Sequence, residues 1–486
     1  MIFCASMSNA DFFSLKQQRC CFKEALSLIF LVFFLRSEAV SEQNKVNTNP
    51  DDRDNFDSRV GFILACIGSA VGMANIWLFP YRLGQFGGAA FLIPYCLFIF
   101  LIGLFGIIGE MSFGRAMGTG PMGAFKKAFE RKGLKNGEMI GIIPVLGSLG
   151  IATGYAVVVG WILRFTYGAF TGDVITASSS GAYFGEIAGP MGSISWHFLG
   201  LAITFAVMLM GISNGIEKCN KVMMPAFYIL FIILAVKVFT LPGSREGYKY
   251  LFLPKWELLG NPKTWVYALG QAFFSLSLAG SGTVVYGSYL KKSEDVISCA
   301  KYVAVFGTIA ALLSAVVIIP AVFAFKLDVT AGPPLMFITM PNVFKMMPFG
   351  YLFSIVFFVA VLFAGVSSLM NLFETPVEAL QQRLHISRIT AIAIIALISG
   401  SVGLILENGD TLSTWMDIVS IYLIPLGALL AGIMFFWVCG PGFAREQAQT
   451  GRDKTIGGWF EPMTKYGFCG STIIVYILGI AYGGIG

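Results

Sequence analysis

Residues 61–80 read GFILACIGSAVGMANIWLFP, a stretch long enough to enter a bilayer but interrupted in its middle. Gly68, Ser69, Ala70, Gly72, Ala74 and Asn75 crowd the point where a lipid-facing helix should be bulkiest. Such a helix gains nothing from that composition. A helix that unwinds at membrane depth does, because small residues let a ligand reach bare carbonyls and amides. The same anomaly recurs in GQAFFSLSLAGSGTVVYGSY, Gly270 to Tyr289. Two interrupted apolar segments in corresponding halves of one chain mark a solute site at mid-membrane.

The bulk composition agrees. The 486 residues are 56% hydrophobic and 12% charged, with mean hydropathy +0.76. A water-soluble chain carries about twice that charge. The apolar residues also come in blocks of about twenty, the length that crosses a bilayer. The net charge of +6 is then a topology signal and not a nucleic-acid footprint. Nine cysteines are scattered without metal spacing, so they read as small buried residues. His197 and His385 are the only histidines, which excludes a multi-histidine metal centre. They also leave no Ser-His or Cys-His constellation for an intramembrane enzyme.

The expected fold is all-α and polytopic. Residues 1–52 are set aside as a poorly ordered or interfacial extension. Leu26 to Leu35 is apolar but too short to span, and it resembles a signal-peptide core or an interfacial segment. A transporter-type domain over 53–486 contains eleven expected spans: 60–80, 88–112, 141–169, 194–212, 221–241, 264–290, 299–325, 350–382, 388–406, 412–438 and 466–485. Placing Arg53 and Arg59 in the cytoplasm puts most loop lysines and arginines there, from Arg115 to Lys135 and from Arg445 to Lys465 among others. That bias predicts an inside N-terminus and an outside C-terminus. Spans one to five (about 53–241) and six to ten (about 255–438) form two groups of odd number, so the second is inverted relative to the first. The interrupted spans open the two groups, and span eleven is an extra.

Chemistry concentrates at the breaks. Unwound backbone offers N–H groups to an anion and carbonyls to a cation, reinforced by the half-helix dipoles. Asn75 adds a hard side-chain oxygen. Ser275, Ser277 and Ser281 bring hydroxyls to the second break, and Ser367 and Ser368 sit in FAGVSSLMNLFETP of span eight. Glu374, within that span, is a functional or pairing carboxylate by default. Glu110 reads as interfacial, beside Arg115.

The motifs GSAVGMANIWLFPY, GQAFFSLSLAGSG and FAGVSSLMNLFE, in this order and in these spans, resemble the neurotransmitter:sodium symporter family of the leucine-transporter fold, its eleven-span bacterial members most of all. The resemblance implies a 5+5 inverted repeat with broken helices one and six. It implies a sodium site between spans one and eight at Gly68, Val71, Ala364, Ser367 and Ser368. Another sodium site would use Ala70, Asn75 and Ser275, but its span-seven ligand falls near Phe306 or Gly307, which supply no side-chain oxygen, and Thr308 would have to rotate in. One sodium is therefore expected and the second site is incomplete. Gln271 and Ser275 match the chloride pattern, yet Ala310 and Ala311 do not complete it, so no chloride requirement is expected.

The substrate implied is a neutral, hydrophobic or aromatic amino acid. It would be held by Ser69, Ala70, Met73, Ala74, Ile151, Tyr155, Phe274, Ser275, Ser277, Gly280, Ser368 and Leu372. Gly280 is read as removing a wall from that pocket. For gates, the resemblance implies Arg53 with Phe56 on the inner side, Glu378 in place of the usual acid at Gln382, and Ser288, Tyr289 and Glu374 in support. Leu78 stands where relatives have an outer arginine. Arg82, one turn on, is expected to take the role by pairing with Asp417 or, less favourably, Asp410. The whole reads as a sodium-coupled symporter of the cytoplasmic membrane that meets a small amino acid and lipid, no nucleic acid, with no signal for oligomeric state. Its rivals are a proton-coupled transporter and a channel or substrate-sensing receptor on the same fold.

Overall fold

The computed structural model describes residues 55–329 and 335–484, and over these the chain is helical with no strand. The expected extension 1–52 and Arg53 lie outside the described residues. Each of the eleven expected segments is helical over most of its length, the first and sixth with an interruption. Among the described residues, eight helices are long and apolar enough to cross a bilayer: Ala89–Met117, Gly137–Thr171, Ile212–Phe239, Val296–Ala324, Gly350–Leu384, Arg388–Ile405, Gly409–Val438 and Phe460–Tyr482. Arg59–Ala70 and Ala74–Gln85 form a pair bent by 55° about residues 71–73. Ile194–Leu209 is a shorter apolar helix. Pro262–Ser275 and Gly282–Ser288 flank residues 276–281, which are not helical.

Local sequence explains where these helices begin. Ser58, Asn261, Asp295 and Ser387 are N-caps whose side chains accept an amide hydrogen from the first turn. Prolines occupy first-turn positions at Pro121, Pro262 and Pro441, where no N–H is needed. The long helices also contain Pro94, Pro144, Pro225, Pro320 and Pro376; the carbonyl that Pro376 frees, at Leu372, accepts from Ser148 Oγ of the neighbouring helix at 2.8 Å. The connections hold short helices that hydropathy did not announce, among them Pro121–Glu130, Ser180–Ala188, Ser244–Phe252 and Met340–Met346.

The two longest helices, Gly137–Thr171 and Gly350–Leu384, pack along one another as a scaffold. Arg59–Ala70 lies against Gly350–Leu384, Lys218–Phe239 and Val296–Ala324. Gly282–Ser288 is seated on Leu104–Met117. The broken elements are thus enclosed by unbroken ones. The outside is apolar: Val222, Ile229, Ile232, Val236 and Phe239 are exposed along a single helix, a face that hydrocarbon accepts and water does not.

Glycine sets the closest approaches. A Cβ at Gly114 would lie 1.9 Å from the Val284 carbonyl oxygen, and one at Gly287 would lie 2.5 Å from that of Met111. These two glycines let spans two and six touch backbone to backbone. Gly114→Ala should therefore lose about 1–3 kcal/mol through overpacking and lower the unfolding temperature in detergent. Gly470→Ala, in a helix with open space around it, should not lower it. Equal unfolding temperatures for the two variants would contradict this packing.

Candidate substrate and sodium site

At the first break, Arg59–Ala70 ends and Val71 leaves helical geometry at φ −83°, ψ 73°. The chain resumes as a wide π-type turn over Ala74–Leu78. In between, the Met73 amide donates to the Tyr155 hydroxyl at 3.0 Å. Tyr155 comes from the scaffold helix Gly137–Thr171, so an unbroken element reaches in to serve the broken one. The Ala70 carbonyl accepts from Asn75 Nδ2 at 2.9 Å. The Ser69 carbonyl accepts from Ser277 Oγ at 2.8 Å and from Ser368 Oγ at 3.3 Å, which ties both breaks and span eight to one oxygen. Gly72 is required there: a Cβ would sit 2.8 Å from Ser368 Oγ and 3.2 Å from the Tyr155 hydroxyl.

At the second break, Ser277 takes φ +53° and Gly280 φ +65°, both left-handed. The strain is held from outside. The Gly280 amide donates to Glu110 Oε1 at 2.8 Å, and Asn371 of span eight crowds Gly282. Ser69, Ser277, Thr283, Tyr286 and Asn371 line a cavity of about 10 Å³ below the breaks. That holds on the order of one water molecule. Ala74, Ile151, Phe274, Ser277 and Leu372 keep partial exposure, while Ser69, Met73, Tyr155 and Ser368 are buried. A larger hollow of about 920 Å³ lies elsewhere, between Pro121–Glu130 and the ends of the scaffold helices. It does not touch the breaks.

The residues expected to hold sodium between spans one and eight come together. Ser367 Oγ lies 3.0 Å from the Gly68 oxygen and 3.0 Å from the Ala364 oxygen. Ser368 is next in the helix and has its hydroxyl 3.3 Å from the Ser69 carbonyl, and Val71 caps the half-helix that carries Gly68. All these donors are neutral hard oxygens, the type a small alkali cation takes. Asn220, fully buried on Lys218–Phe239, also points its Oδ1 toward Gly68, and that oxygen has no partner among the described residues.

The second set is built to the same plan with one part missing. Gln271 Nε2 donates to the Ala74 carbonyl at 2.9 Å and to Ser275 Oγ at 3.1 Å, and Asn75 Oδ1 is buried without a partner among the described residues. Gly307 faces the group: a Cβ there would lie 3.8 Å from the Ser275 oxygen and 3.9 Å from Ala70 Cβ. A side chain at 307 would reach these oxygens, and glycine supplies none. Thr308 spends its hydroxyl on the Ala304 carbonyl.

Several sequence expectations need correction. Glu110 is not interfacial. It is buried and braces Gly280, while Arg115 donates to the carbonyls of Glu294, Gln447 and Thr450. Gly280 does not open the substrate pocket, because a Cβ there would lie 2.2 Å from the Gly427 carbonyl oxygen. Its missing side chain makes room for span ten. Arg82 pairs with neither Asp417 nor Asp410. Its guanidinium lies 4.4 Å from the Tyr267 ring centre and donates to Gln85. Ser288 Oγ returns to the Val285 carbonyl and joins no gate. Glu378 accepts from the Gly120 amide and Thr119, capping the helix Pro121–Glu130.

The end of the bundle that bears Arg59 is shut. Phe56 is buried with its ring 5.3 Å from Phe62, 5.5 Å from Tyr286 and 6.5 Å from Tyr289. Tyr289 donates to Glu374, and Arg388 makes two bonds of 2.7 Å to the same carboxylate. Glu374 and Tyr289 are the expected pair, whereas Arg388 stands in the sequence as one more basic residue of the loop between spans eight and nine. Only the turn after Leu384 brings it back.

Relatives are found along nearly the whole length. The profile of the sodium:neurotransmitter symporter family matches residues 53–187 and 185–452. An uncharacterized sodium-dependent transporter of Bacillus subtilis is 37% identical over 65% of this chain and 70% of that protein. Another of Methanocaldococcus jannaschii is 32% identical over 84% of this chain and 87% of its own length. The crystal structure of MhsT in complex with L-phenylalanine superposes with TM-score 0.79 and 32% identity, covering 88% of this chain and all 100% of that one. A mouse sodium-dependent neutral amino acid transporter, B(0)AT3, is 32% identical over 57% of this chain and 49% of its own length. With helices, breaks and oxygens placed as described, this chain belongs to the sodium:neurotransmitter symporter family and is one of its sodium-dependent membrane transporters, not an enzyme.

Proposed function

We propose that this protein imports a neutral, hydrophobic or aromatic amino acid together with sodium by alternating access. The observation that carries this reading is the convergence on residues 69–73. Ser69 offers a carbonyl already approached by two hydroxyls, and Met73 offers an amide already met by Tyr155. An α-carboxylate would take the amide side with Tyr155. An α-ammonium would take the carbonyls near Ser69, Ala70 and Phe274. The side chain would face Ile151, Met73, Ala74, Phe274 and Leu372, with no charged group among them. A charged substrate would leave an unpaired charge in a dry pocket. MhsT was crystallised with L-phenylalanine, which fits the same preference.

Sodium is the driving co-substrate. One ion at Gly68, Val71, Ala364, Ser367 and Ser368 would join spans one and eight while the serine hydroxyls turn their lone pairs inward. With glycine at 307 the second set stays a weak site, so a single sodium per cycle follows, without a chloride requirement. The Arg59 end is placed in the cytoplasm of a cell whose inner membrane the protein spans, because the basic loops gather on that side. The membrane potential then adds about 2.3 kcal/mol per charge per 100 mV to uptake.

Three results test this. In proteoliposomes, an inward sodium gradient should drive labelled phenylalanine above equilibrium, and leucine or tryptophan should compete while lysine and glutamate do not. Simple equilibration would mean a channel, and uptake in choline at fixed pH would mean proton coupling. Replacing both Ser367 and Ser368 by alanine should abolish the sodium response of any remaining uptake, and an unchanged response would exclude that site. Gly307→Asn should raise the Hill coefficient for sodium above that of the parent, and an unchanged coefficient would mean that position 307 does not limit the second site.

A further inference from the structure

Glu217 is fully buried, yet none of its partners belongs to the core. It lies at the start of Ile212–Phe239, and its carboxylate accepts from the Asp57 amide at 2.7 Å, the Ser58 amide at 3.2 Å and Ser58 Oγ at 2.7 Å. Lys221 adds an ion pair at 2.6 Å from the rim. The Asp57 and Ser58 donors lead into Arg59–Ala70, a helix that Ser58 caps and that has no acidic residue in its own first turn. The anion that its dipole and free amides favour is borrowed from a neighbouring helix. The borrowing is specific: a Cβ on Gly61 would fall 2.0 Å from Glu217 Oε1, so only glycine admits the carboxylate there. Ser213 Oγ donates to Asp57 at 2.7 Å and extends the same contact.

We infer that Glu217 is the catch that holds the first half of span one closed at the Arg59 end, and that its release is a required step of the transport cycle. This inference rests on the alternating-access reading above. The plug that shuts this end, Phe56 against Phe62, Tyr286 and Tyr289, is carried on the residues that Glu217 holds. A solute at residues 69–73 leaves toward this end only if 56–62 moves. Moving it strips a buried carboxylate of three donors at once, which is costly enough to keep the end shut. Entry of water around Glu217 offsets that cost and permits opening. Glu217 is thus a positioning residue that never meets substrate.

Cys66, buried on the same half-helix and lining the small cavity, reports the opening. In the full-length protein with Cys66 as the sole cysteine, reconstituted in nanodiscs, its reaction with a water-soluble methanethiosulfonate is timed with and without sodium. Sodium should slow the reaction in the parent. Glu217→Gln should speed it by about tenfold and blunt the sodium effect, while binding of labelled phenylalanine at saturating sodium persists. Ser58→Ala, which removes one donor at the half-exposed rim, should give a smaller rise and decides the matter if Glu217→Gln does not fold. Lys221→Ala should leave the rate near the parent's, since a half-exposed ion pair contributes little. Parental rates in both Glu217→Gln and Ser58→Ala would overturn the inference alone. Absence of any sodium effect in the parent would instead sink the alternating-access reading beneath it.

Discussion

A bilayer supplies no hydrogen bonds, so every polar backbone group at its centre must find a partner inside the protein. This chain breaks that economy twice, at residues 71–73 and 276–281, and the remainder of the structure compensates. Tyr155 meets a loose amide, and Asn75, Ser277 and Ser368 meet loose carbonyls. Glu110 reaches from span two to hold Gly280. These partners are side chains, and side chains can rotate aside. The breaks are thereby stable when closed on themselves, and in the proposed function they exchange a protein partner for a carboxylate, an ammonium or a sodium ion.

The division of labour among helices follows. Gly137–Thr171 and Gly350–Leu384 are continuous, and each lends polar groups to the broken pair: Tyr155 from the first, Ser367, Ser368 and Asn371 from the second. A rigid scaffold carrying ligands next to two hinged rods lets a small change at the site alter the ends. At the Arg59 end the closure is layered. An aromatic plug blocks passage, the Glu374–Arg388–Tyr289 cluster fixes the wall, and Glu217 fastens the first rod. Buried carboxylates do this well because losing a partner costs far more than an exposed ion pair contributes.

Much of this was legible in the sequence, for identifiable reasons. Apolar blocks with small residues at their centres located both breaks: a helix-packing stripe would also use Gly-Ser-Ala-Val-Gly, but its recurrence as Leu-Ala-Gly-Ser-Gly at the opening of the second half pointed to interruption. The serine pair at 367–368 was legible because hydroxyls in an apolar helix need a purpose. Long-range polar partners were not. Glu110 lies 170 residues from Gly280 and Glu217 lies 160 from Asp57, and no local pattern connects them. Arg388 looked like one more loop charge because the turn that returns it to Glu374 has no signature in hydropathy. Gly280 misled for a related reason: a missing side chain makes room on whichever side the neighbour lies, and here the neighbour is Gly427. Arg82 was given an acidic partner because it lies one turn beyond Leu78, where relatives have the outer arginine, whereas its guanidinium lies against the aromatic face of Tyr267.

Amide exchange reads the frayed backbone directly. Hydrogen–deuterium exchange resolved to residues 71–74 and 276–281 should show amides that exchange freely in sodium-free buffer, then slow by about tenfold or more when sodium and phenylalanine are added together. Amides in the middle of Gly350–Leu384 should stay slow throughout. Uniformly slow exchange across both breaks, indifferent to sodium and amino acid, would contradict the claim that unwound backbone at mid-membrane is what binds.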